Sequence, residues 1–215
     1  MTAVLFDLDG VLVDSRAAIA GSLNHALVSR GHAARPEAEL YRYIGPPLLG
    51  AFAELIGEPP GSAEVLALAA AYRAHYAVAS LTETLVVPGI PEVLERLARG
   101  HVLAVATSKP RPFAVPLLQA LGLDRHFAYI AGPEHDAQME PKAATVRTAL
   151  ERVGEPAAMI GDRSHDVVGA RANGIPVIGV TWGIGDAQEL SGADALVDAP
   201  AQLPDAVERL RRRAA

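Results

Sequence analysis

The feature that most constrains the fold of this chain is a repeated order of helix-like segment, glycine and short apolar run. A glycine follows a helix-like segment at six positions, which are Gly31, Gly57, Gly100, Gly122, Gly154 and Gly174. Glycine just past a helix end adopts the left-handed conformation with which the chain turns back. Short apolar runs follow several of these glycines, at residues 102–107, 127–132, 158–161 and 176–181. This alternation predicts an α/β fold, a Rossmann-like open parallel sheet with helices on both faces.

One region, residues 16–84, does not follow this order, because it reads as consecutive helices with no convincing strand between them. Its helix-like segments are Arg16 to Arg30, Pro47 to Ile56 and Ser62 to Val78. We therefore predict that residues 15–85 form a small all-helical cap domain, inserted after the first strand. Residues 1–14 and 86–215 are predicted to form the α/β core domain.

Composition excludes several classes of protein. A chain of 215 residues with 50% hydrophobic and 20% charged residues is long and apolar enough for a packed domain with a smaller insertion. The net charge of −6 has the wrong sign for nonspecific nucleic-acid binding. The absence of cysteine excludes disulfides, thiolate zinc sites and a cysteine nucleophile. With no membrane-length apolar stretch and no leader in the sequence, we expect a cytoplasmic protein that binds no membrane.

Two acids stand at the exit of the first apolar run. Residues 4–6 lead into Asp7, Leu8, Asp9 and Gly10. Ionised carboxylates at the end of a buried strand are costly unless something compensates them. Because ligands of open α/β sheets bind beyond the carboxyl ends of the strands, the polar residues after the other runs belong to the same candidate site. These residues are Thr107, Ser108, Lys142, Asp162 and Asp166.

This set of side chains predicts a magnesium site. Oxygen ligands without cysteine or histidine select a hard cation, and Mg²⁺ binds through a few carboxylates plus substrate phosphate. The ion would offset the repulsion between Asp7, Asp9 and Asp162, which is roughly 4 kcal/mol for each pair at about 4 Å. The chain has only two lysines, Lys109 and Lys142, and both lie close to predicted strand ends.

The same residues can carry out phosphoryl transfer. Asp7 can attack phosphorus to form an aspartyl phosphate. Asp9 can protonate the departing oxygen and then activate the water that cleaves the intermediate. Thr107, the backbone at Ser108 and the cation of Lys142 can hold the phosphate oxygens.

Asp166 has two interpretations. It lies four residues after Asp162, in the first turn of a helix predicted to begin at Ser164 or His165. An acid in the first turn suits the positive end of the helix dipole. The alternative is a role in or around the metal site, and the sequence leaves both open.

Four motifs in this order resemble the haloacid dehalogenase superfamily, specifically its phosphatases with a helical cap after the first motif. DLDGVLVDS resembles the first motif, ATSKP the second, EPK the lysine motif and GDRSHD the acidic fourth, and the resemblance runs from residue 3 to about 198. It implies an Asp7 nucleophile that also binds the metal and an Asp9 acid/base whose carbonyl lies on Mg²⁺. It also implies phosphate binding by Thr107 and Lys142, metal binding by Asp162, and Gly10 as part of the loop.

Some branches of that superfamily fit less well than others. Asp9 argues against the dehalogenases, which use no general acid there. Residues 1–108 contain no lysine, which argues against the phosphonoacetaldehyde hydrolases and their cap lysine. Sugar phosphomutases resembling β-phosphoglucomutase share every core residue and remain an alternative. The lysine motif departs from the common Lys-Pro-x-Pro by reading Lys142-Ala-Ala-Thr, which leaves the surrounding turn open.

The segment YRYIGPPLLGAF, at residues 41–52, is similar to phosphoglycolate phosphatase-like members. Arg42 in this segment either contacts a substrate carboxylate or is a solvated helix residue. We therefore predict a Mg²⁺-dependent phosphomonoester hydrolase acting on a small phosphorylated metabolite, with phosphoglycolate as the leading substrate. A phospho-acceptor or non-catalytic binding module is a further alternative, although phospho-acceptor domains are about half this length.

Overall fold

The computed structural model describes residues 1–134 and 140–214. The described residues form two compact units. The first, which we call the core unit, comprises residues 1–14, 86–134 and 140–214. The second, the helical unit, is a single segment, Ser15–Leu85.

The strands, in chain order, are β1 (Thr2–Phe6), β2 (Val13–Asp14), β3 (Leu85–Val86), β4 (His101–Ala106), β5 (Tyr129–Ala131), β6 (Pro156–Gly161), β7 (Val177–Val180) and β8 (Ala195–Val197). The helices are α1 (Arg16–Ser29), α2 (Glu37–Leu40), α3 (Leu48–Ile56), α4 (Ala63–Thr82), α5 (Ile90–Leu97), α6 (Arg111–Ala120), α7 (Lys142–Val153), α8 (Ser164–Arg171) and α9 (Leu203–Ala214). Short 3₁₀ turns lie at Tyr41–Tyr43, Asp124–His126 and Pro200–Gln202.

The core unit contains a six-stranded sheet in which every neighbouring pair is parallel. The strand order is β5-β4-β1-β6-β7-β8. The predicted α/β fold is therefore confirmed, and each of the four predicted apolar runs overlaps a strand of this sheet. The sixth strand, β8, was not predicted. It has three residues at the sheet edge, and Leu196 at its centre is half exposed, so it lacks the continuous apolar run of a central strand.

Helices cover both faces of this sheet. On β1, Val4 and Phe6 pack into a buried cluster with residues of α5, α6 and α9. Leu5, which points the other way, packs into a second cluster with residues of α7 and α8. Because side chains alternate across a strand, burial on both faces requires the uninterrupted apolar sequence that β1 shows.

The helical unit is built on the pairing of two long helices. Leu23 and Leu27 of α1 are buried, as is Leu68 of α4, and α1 and α4 are extensively packed together. Phe52 of α3 meets Tyr72 of α4 edge to face, with ring centroids 6.3 Å apart. Residues 15–84 contain helices and a 3₁₀ turn but no strand, in agreement with the helical prediction for this region.

All six glycines selected from the sequence lie within three residues after a helix end. Gly57, directly after α3, has φ = 72°, and its N–H donates to the carbonyl of Ala53 at 2.9 Å. This left-handed residue is the stop signal that the sequence predicts. Among the described residues, no helix has the length and apolar character needed to cross a membrane.

Candidate active site

The predicted site residues stand directly after three adjacent strands of the core unit. Asp7 follows β1, Thr107 follows β4 and Asp162 follows β6. The Asp7 N–H donates to the carbonyl of Ile160 at 2.9 Å, and the Thr107 N–H donates to the carbonyl of Ala131 at 3.0 Å. These bonds continue the sheet ladder, so each residue is held by a rigid strand end. After β1 the chain adds β4 and β5 on one side of β1, and it later adds β6, β7 and β8 on the other side. In open α/β sheets ligands bind at the carboxyl ends of the strands where the order reverses in this way, so the carboxyl end of β1 is the expected ligand site.

The loop after β1 turns tightly against Asp162. The Gly10 N–H donates to the carbonyl of Val13 at 2.8 Å, and Gly10 has φ = 85°. A Cβ atom at Gly10 would lie 2.2 Å from Asp162 Oδ2. Glycine is therefore required at position 10 for two reasons, since a side chain there would be strained and would also collide with the carboxylate.

Lys142 lies between two carboxylates. Its Nζ is 2.6 Å from Asp7 Oδ1 and 2.7 Å from Asp166 Oδ1. The lysine is the first residue of α7, and its stem packs against Gly169 of α8, where a Cβ would come within 2.8 Å of Lys142 Cγ. The close packing of the two helices therefore aims the ammonium at the end of β1.

Asp166 has the helix-start role that was one of its two interpretations. Its Oδ2 accepts hydrogen bonds from the N–H groups of Asp162 and Arg163, each at 3.1 Å. Its other oxygen pairs with Lys142. One carboxylate thus caps the start of α8 and also positions the lysine.

Asp162 is fully buried and is held by a loop that was not predicted from the sequence. Its Oδ2 accepts a 2.6 Å hydrogen bond from the N–H of Ile184. A Cβ at Gly183 would lie 2.3 Å from Asp162 Cβ, and one at Gly185 would lie 2.1 Å from the Asp162 carbonyl oxygen. The available signal was the sequence WGIG just beyond β7, at the same edge of the sheet as the other site residues.

This loop is anchored to the rest of the site at two points. The Trp182 indole N–H donates to the carbonyl of Val11 at 3.3 Å. Glu189 Oε2 accepts from Arg163 Nε at 2.9 Å and from the N–H and Oγ of Ser164 at 3.1 and 3.0 Å. The loop therefore joins the turn after β1 to the start of α8.

Burial and mutual repulsion shift the pKa values of these groups. Burial, with the negative charges of Asp166 and Asp7, raises the pKa of Asp162 from 3.8 to about 8. Burial also raises the pKa of Asp7 to about 6, although Lys142 opposes the shift. Burial acts to lower the pKa of Lys142, but Asp166 and Asp7 outweigh it and raise that pKa above its usual range. The site holds more negative charge than its one bridging lysine neutralises.

The carboxylates fit a hard divalent cation. Asp7, Asp162 and Asp166 each offer an oxygen, and these oxygens lie within 4.8 Å of one another. Asp162 Oδ1 is buried and accepts no hydrogen bond from any described residue. An oxygen-only donor set with an unsatisfied buried carboxylate oxygen suits Mg²⁺.

Asp9 lies outside that group of three acids. Its Oδ2 pairs with Lys109 Nζ at 2.8 Å. The Lys109 N–H in turn donates to Thr107 Oγ1 at 3.1 Å, and Ser108 between them is half-buried. The sequence placed Lys109 near the strand ends but did not identify its partner.

In the helical unit, Arg42 pairs with Glu54, and both side chains are more than half exposed, at 66% and 54%. Burial and a hydrogen bond with Glu54 raise the pKa of Tyr43. The described contacts of Arg42 are thus with its own unit, and they agree with its interpretation as a solvated residue.

Comparisons with known proteins give one family for this chain. A family model described as haloacid dehalogenase-like hydrolase matches residues 4–180. A 5′-nucleotidase of Pseudomonas aeruginosa is 42% identical over 191 residues, which are 87% of this chain and 86% of that protein. A plasmid phosphoglycolate phosphatase of Cupriavidus necator is 37% identical over 94% of this chain and 91% of its own length. A crystal structure described as a predicted phosphatase from Clostridium acetobutylicum superimposes with a TM-score of 0.88 at 33% identity, covering 97% of this chain and 98% of that one.

Proposed function

This chain belongs to the haloacid dehalogenase-like hydrolases, and on that premise we propose that it is a Mg²⁺-dependent phosphomonoester hydrolase acting through an aspartyl phosphate. It is a phosphatase of this family, since relatives and solved structures along most of its length are named phosphatase or 5′-nucleotidase. The proposal extends to the metal, the intermediate and the roles of individual residues.

One observation carries the proposal: Lys142 Nζ is 2.6 Å from Asp7 Oδ1, at the end of β1 and within a buried group of acids. The lysine fixes one oxygen of Asp7, which leaves the other for attack on phosphorus. The Asp7 side chain keeps 12% exposure, so a small phosphate ester can reach it. A nucleophile, a cation and further acids in this arrangement match the needs of phosphoryl transfer.

The metal would be held by the carboxylates of Asp7 and Asp162 and by the backbone carbonyl of Asp9, with Asp166 completing the acidic group. When bound, Mg²⁺ would neutralise charge where a phosphate dianion approaches several carboxylates. The free Oδ1 of Asp162 is the observation that supports this assignment.

In the first step, an Asp7 oxygen forms a bond to phosphorus while the ester P–O bond breaks. Asp9 gives its proton to the departing alkoxide, which leaves as an alcohol. In the second step, Asp9 takes a proton from water, the water oxygen bonds to phosphorus, and the bond to Asp7 breaks to release inorganic phosphate. Thr107, the Ser108 N–H and Lys142 hold the phosphoryl oxygens throughout, and Gly10 gives the loop its close turn.

We further propose that residues 15–85 act as a cap domain. Its task would be to exclude water while phosphate is transferred and to open for product release. The helical structure of residues 15–84 supports the proposal.

The leading substrate is phosphoglycolate. A relative named phosphoglycolate phosphatase, 37% identical over nearly the whole chain, supports it. Nucleoside 5′-monophosphates are a second candidate, because a relative named 5′-nucleotidase is 42% identical. Sugar phosphomutase chemistry remains the alternative reaction.

A substrate panel tests this proposal. The full chain with Mg²⁺ is assayed for phosphate release from phosphoglycolate, nucleoside 5′-monophosphates and hexose phosphates, and kcat/KM values are compared. We expect phosphoglycolate to give the highest value and phosphate to appear in equal amount with the alcohol. A higher value for a nucleotide would transfer the assignment to nucleotides, and isomer formation without phosphate release would overturn hydrolysis.

A further inference from the structure

We propose that Lys109 is a positioning residue for Asp9, which fixes the Asp9 carboxylate so that one defined oxygen delivers the proton to the leaving group. This inference rests on the proposed function, in which Asp9 is the general acid. It assigns a role to the second lysine of the chain, which the mechanism above does not use.

The two oxygens of Asp9 have different surroundings. Oδ2 is 2.8 Å from Lys109 Nζ, and the side chains of Lys109 and Asp9 are only 4% and 15% exposed. Oδ1 is buried and has no hydrogen-bond partner within residues 1–134 and 140–214. The Lys109 ammonium, which donates to Oδ2, therefore sets the rotation of the carboxyl group. Oδ1 is then the oxygen that carries the proton given to the leaving group in the first step and accepts a proton from water in the second.

The backbone of Lys109 is itself fixed. Its N–H donates to Thr107 Oγ1 at 3.1 Å. Its carbonyl lies so close to Gly132, just after β5, that a Cβ there would come within 2.6 Å. The next residue, Pro110, is the N-cap of α6. A lysine on such a fixed segment is pre-organised to meet Asp9, so little conformational entropy is lost when the ion pair orients the Asp9 side chain.

Each acid of the Asp7-x-Asp9 motif thus has its own lysine. Lys142 holds the nucleophile at 2.6 Å, and Lys109 holds the acid at 2.8 Å. The two ion pairs come from different elements, α7 and the segment after β4, and each is largely buried. A purely structural role for Lys109 would not require that its partner be the acid of the motif.

The inference makes a prediction about leaving groups. A misoriented acid slows departure of an alkoxide, which needs a proton, far more than departure of an acidic phenol, which does not. The value of kcat/KM reports steps up to the first irreversible one, so it reports leaving-group departure. The probes are therefore ethyl phosphate and p-nitrophenyl phosphate.

The experiment compares the full chain with Lys109→Met, Asp9→Asn and the double variant, all with Mg²⁺. We expect Lys109→Met to lower kcat/KM about 100-fold on ethyl phosphate and less than about tenfold on p-nitrophenyl phosphate. In the Asp9→Asn background, Lys109→Met should add less than about threefold, because the group it positions is gone. Lys109→Arg keeps the charge and should recover part of the loss on ethyl phosphate.

Equal losses on both esters, or losses that add fully in the double variant, would overturn the role of Lys109. If Asp9→Asn shows no preference between the esters, the acid role in the proposed function fails, and this inference fails with it. Circular dichroism checks folding of each variant. Should Lys109→Met not fold, the double variant removes both charges together, and its comparison with Asp9→Asn decides the question.

Discussion

The two units of this protein differ in the burial of their best-protected ion pairs. In the core unit, Lys142 and its acidic partners Asp7 and Asp166 have side-chain exposures of 12% or less. In the helical unit, Arg30 and Glu64 pair at 2.7 Å with exposures of 44% and 26%, and Arg42 and Glu54 are more exposed still. Both units therefore contain short ion pairs, and the core unit has exposed ones too, such as Arg96–Asp205, with exposures of 61% and 66%. Among the described residues, the most deeply buried pairs belong to the core unit.

This difference in burial indicates which charged side chains serve function and not stability. A surface ion pair gains little stability, because water solvates the separated charges almost as well. A buried pair costs desolvation that its attraction barely repays, so apolar residues would serve stability as well or better. Buried acids at Asp7, Asp162 and Asp166 are thus better explained by chemistry than by folding.

The largest expected effect is that of Asp7→Asn on turnover. The substitution keeps size and shape but removes the nucleophilic oxygen, so we expect phosphate release to fall at least about 10³-fold. Glu64→Gln, which removes an exposed acid of the helical unit, should change activity less than about twofold. Steady-state assays and circular dichroism check both. Substantial activity in a folded Asp7→Asn protein would remove the nucleophile from the proposal.

The next effect concerns stability. Lys142→Met leaves two buried carboxylates without their cation, so we expect the free energy of unfolding at pH 7 to fall by about 3–5 kcal/mol. Arg30→Met, its control in the helical unit, should change the unfolding midpoint little. Urea unfolding followed by circular dichroism measures both. Similar urea unfolding midpoints for the two variants would contradict the expected difference in stability between the buried and the exposed ion pair.

Metal binding should depend on the core unit alone. We expect a chelator to stop phosphate release and added Mg²⁺ to restore it. Asp162→Asn should weaken Mg²⁺ binding, measured by isothermal titration calorimetry, by about 100-fold, because it replaces an anionic ligand with a neutral one. Glu54→Gln serves as the control and should bind Mg²⁺ as the unmodified protein does. A chelator-resistant enzyme would contradict the metal assignment.

The smallest effect is a pH dependence of that binding. In the metal-free protein, burial raises the pKa of Asp162 to about 8, so at pH 7 a proton must leave before the cation binds. Affinity should therefore rise with pH, by about fivefold between pH 7 and pH 8, and protons should be released on binding. Calorimetry in buffers of different ionisation enthalpy measures this release. An affinity that stays constant from pH 6 to 8 would show that Asp162 is already ionised.

The sequence was sufficient for those parts of the site that depend on position along a strand. Asp7, Thr107 and Asp162 were predicted together because strand direction alone brings carboxyl ends to one edge. The family and the phosphatase class are confirmed by the comparisons. The substrate, the metal, the cap role, the cytoplasmic location and the roles of individual residues stay predictions.

The other features of the site depend on side-chain and backbone contacts, which the spacing of residues along the sequence does not reveal. The partner of Lys109 follows from side-chain direction in three dimensions. The hydrogen bond that holds Asp162 comes from the backbone N–H of Ile184, which the residue type at position 184 does not reveal, so the only signal in the sequence was the pair of glycines that flank it. For Asp166 the structure shows the helix-start role, because its carboxylate accepts hydrogen bonds from the N–H groups of Asp162 and Arg163. Its role in or around the metal site stays a prediction, because spacing alone does not tell which carboxylates bind an ion.

The three glycines around Asp162 have a consequence for anyone who evolves this protein toward new substrates. Gly10 and Gly183 leave no space for even a methyl group beside the Asp162 side chain, and Gly185 leaves none beside its backbone carbonyl. Gly50 and Gly61, in the helical unit, have nothing within 4 Å of the corresponding position. Mutant libraries should therefore keep the first three invariant and place their diversity elsewhere, because specificity can be redesigned while the space around one buried acid cannot.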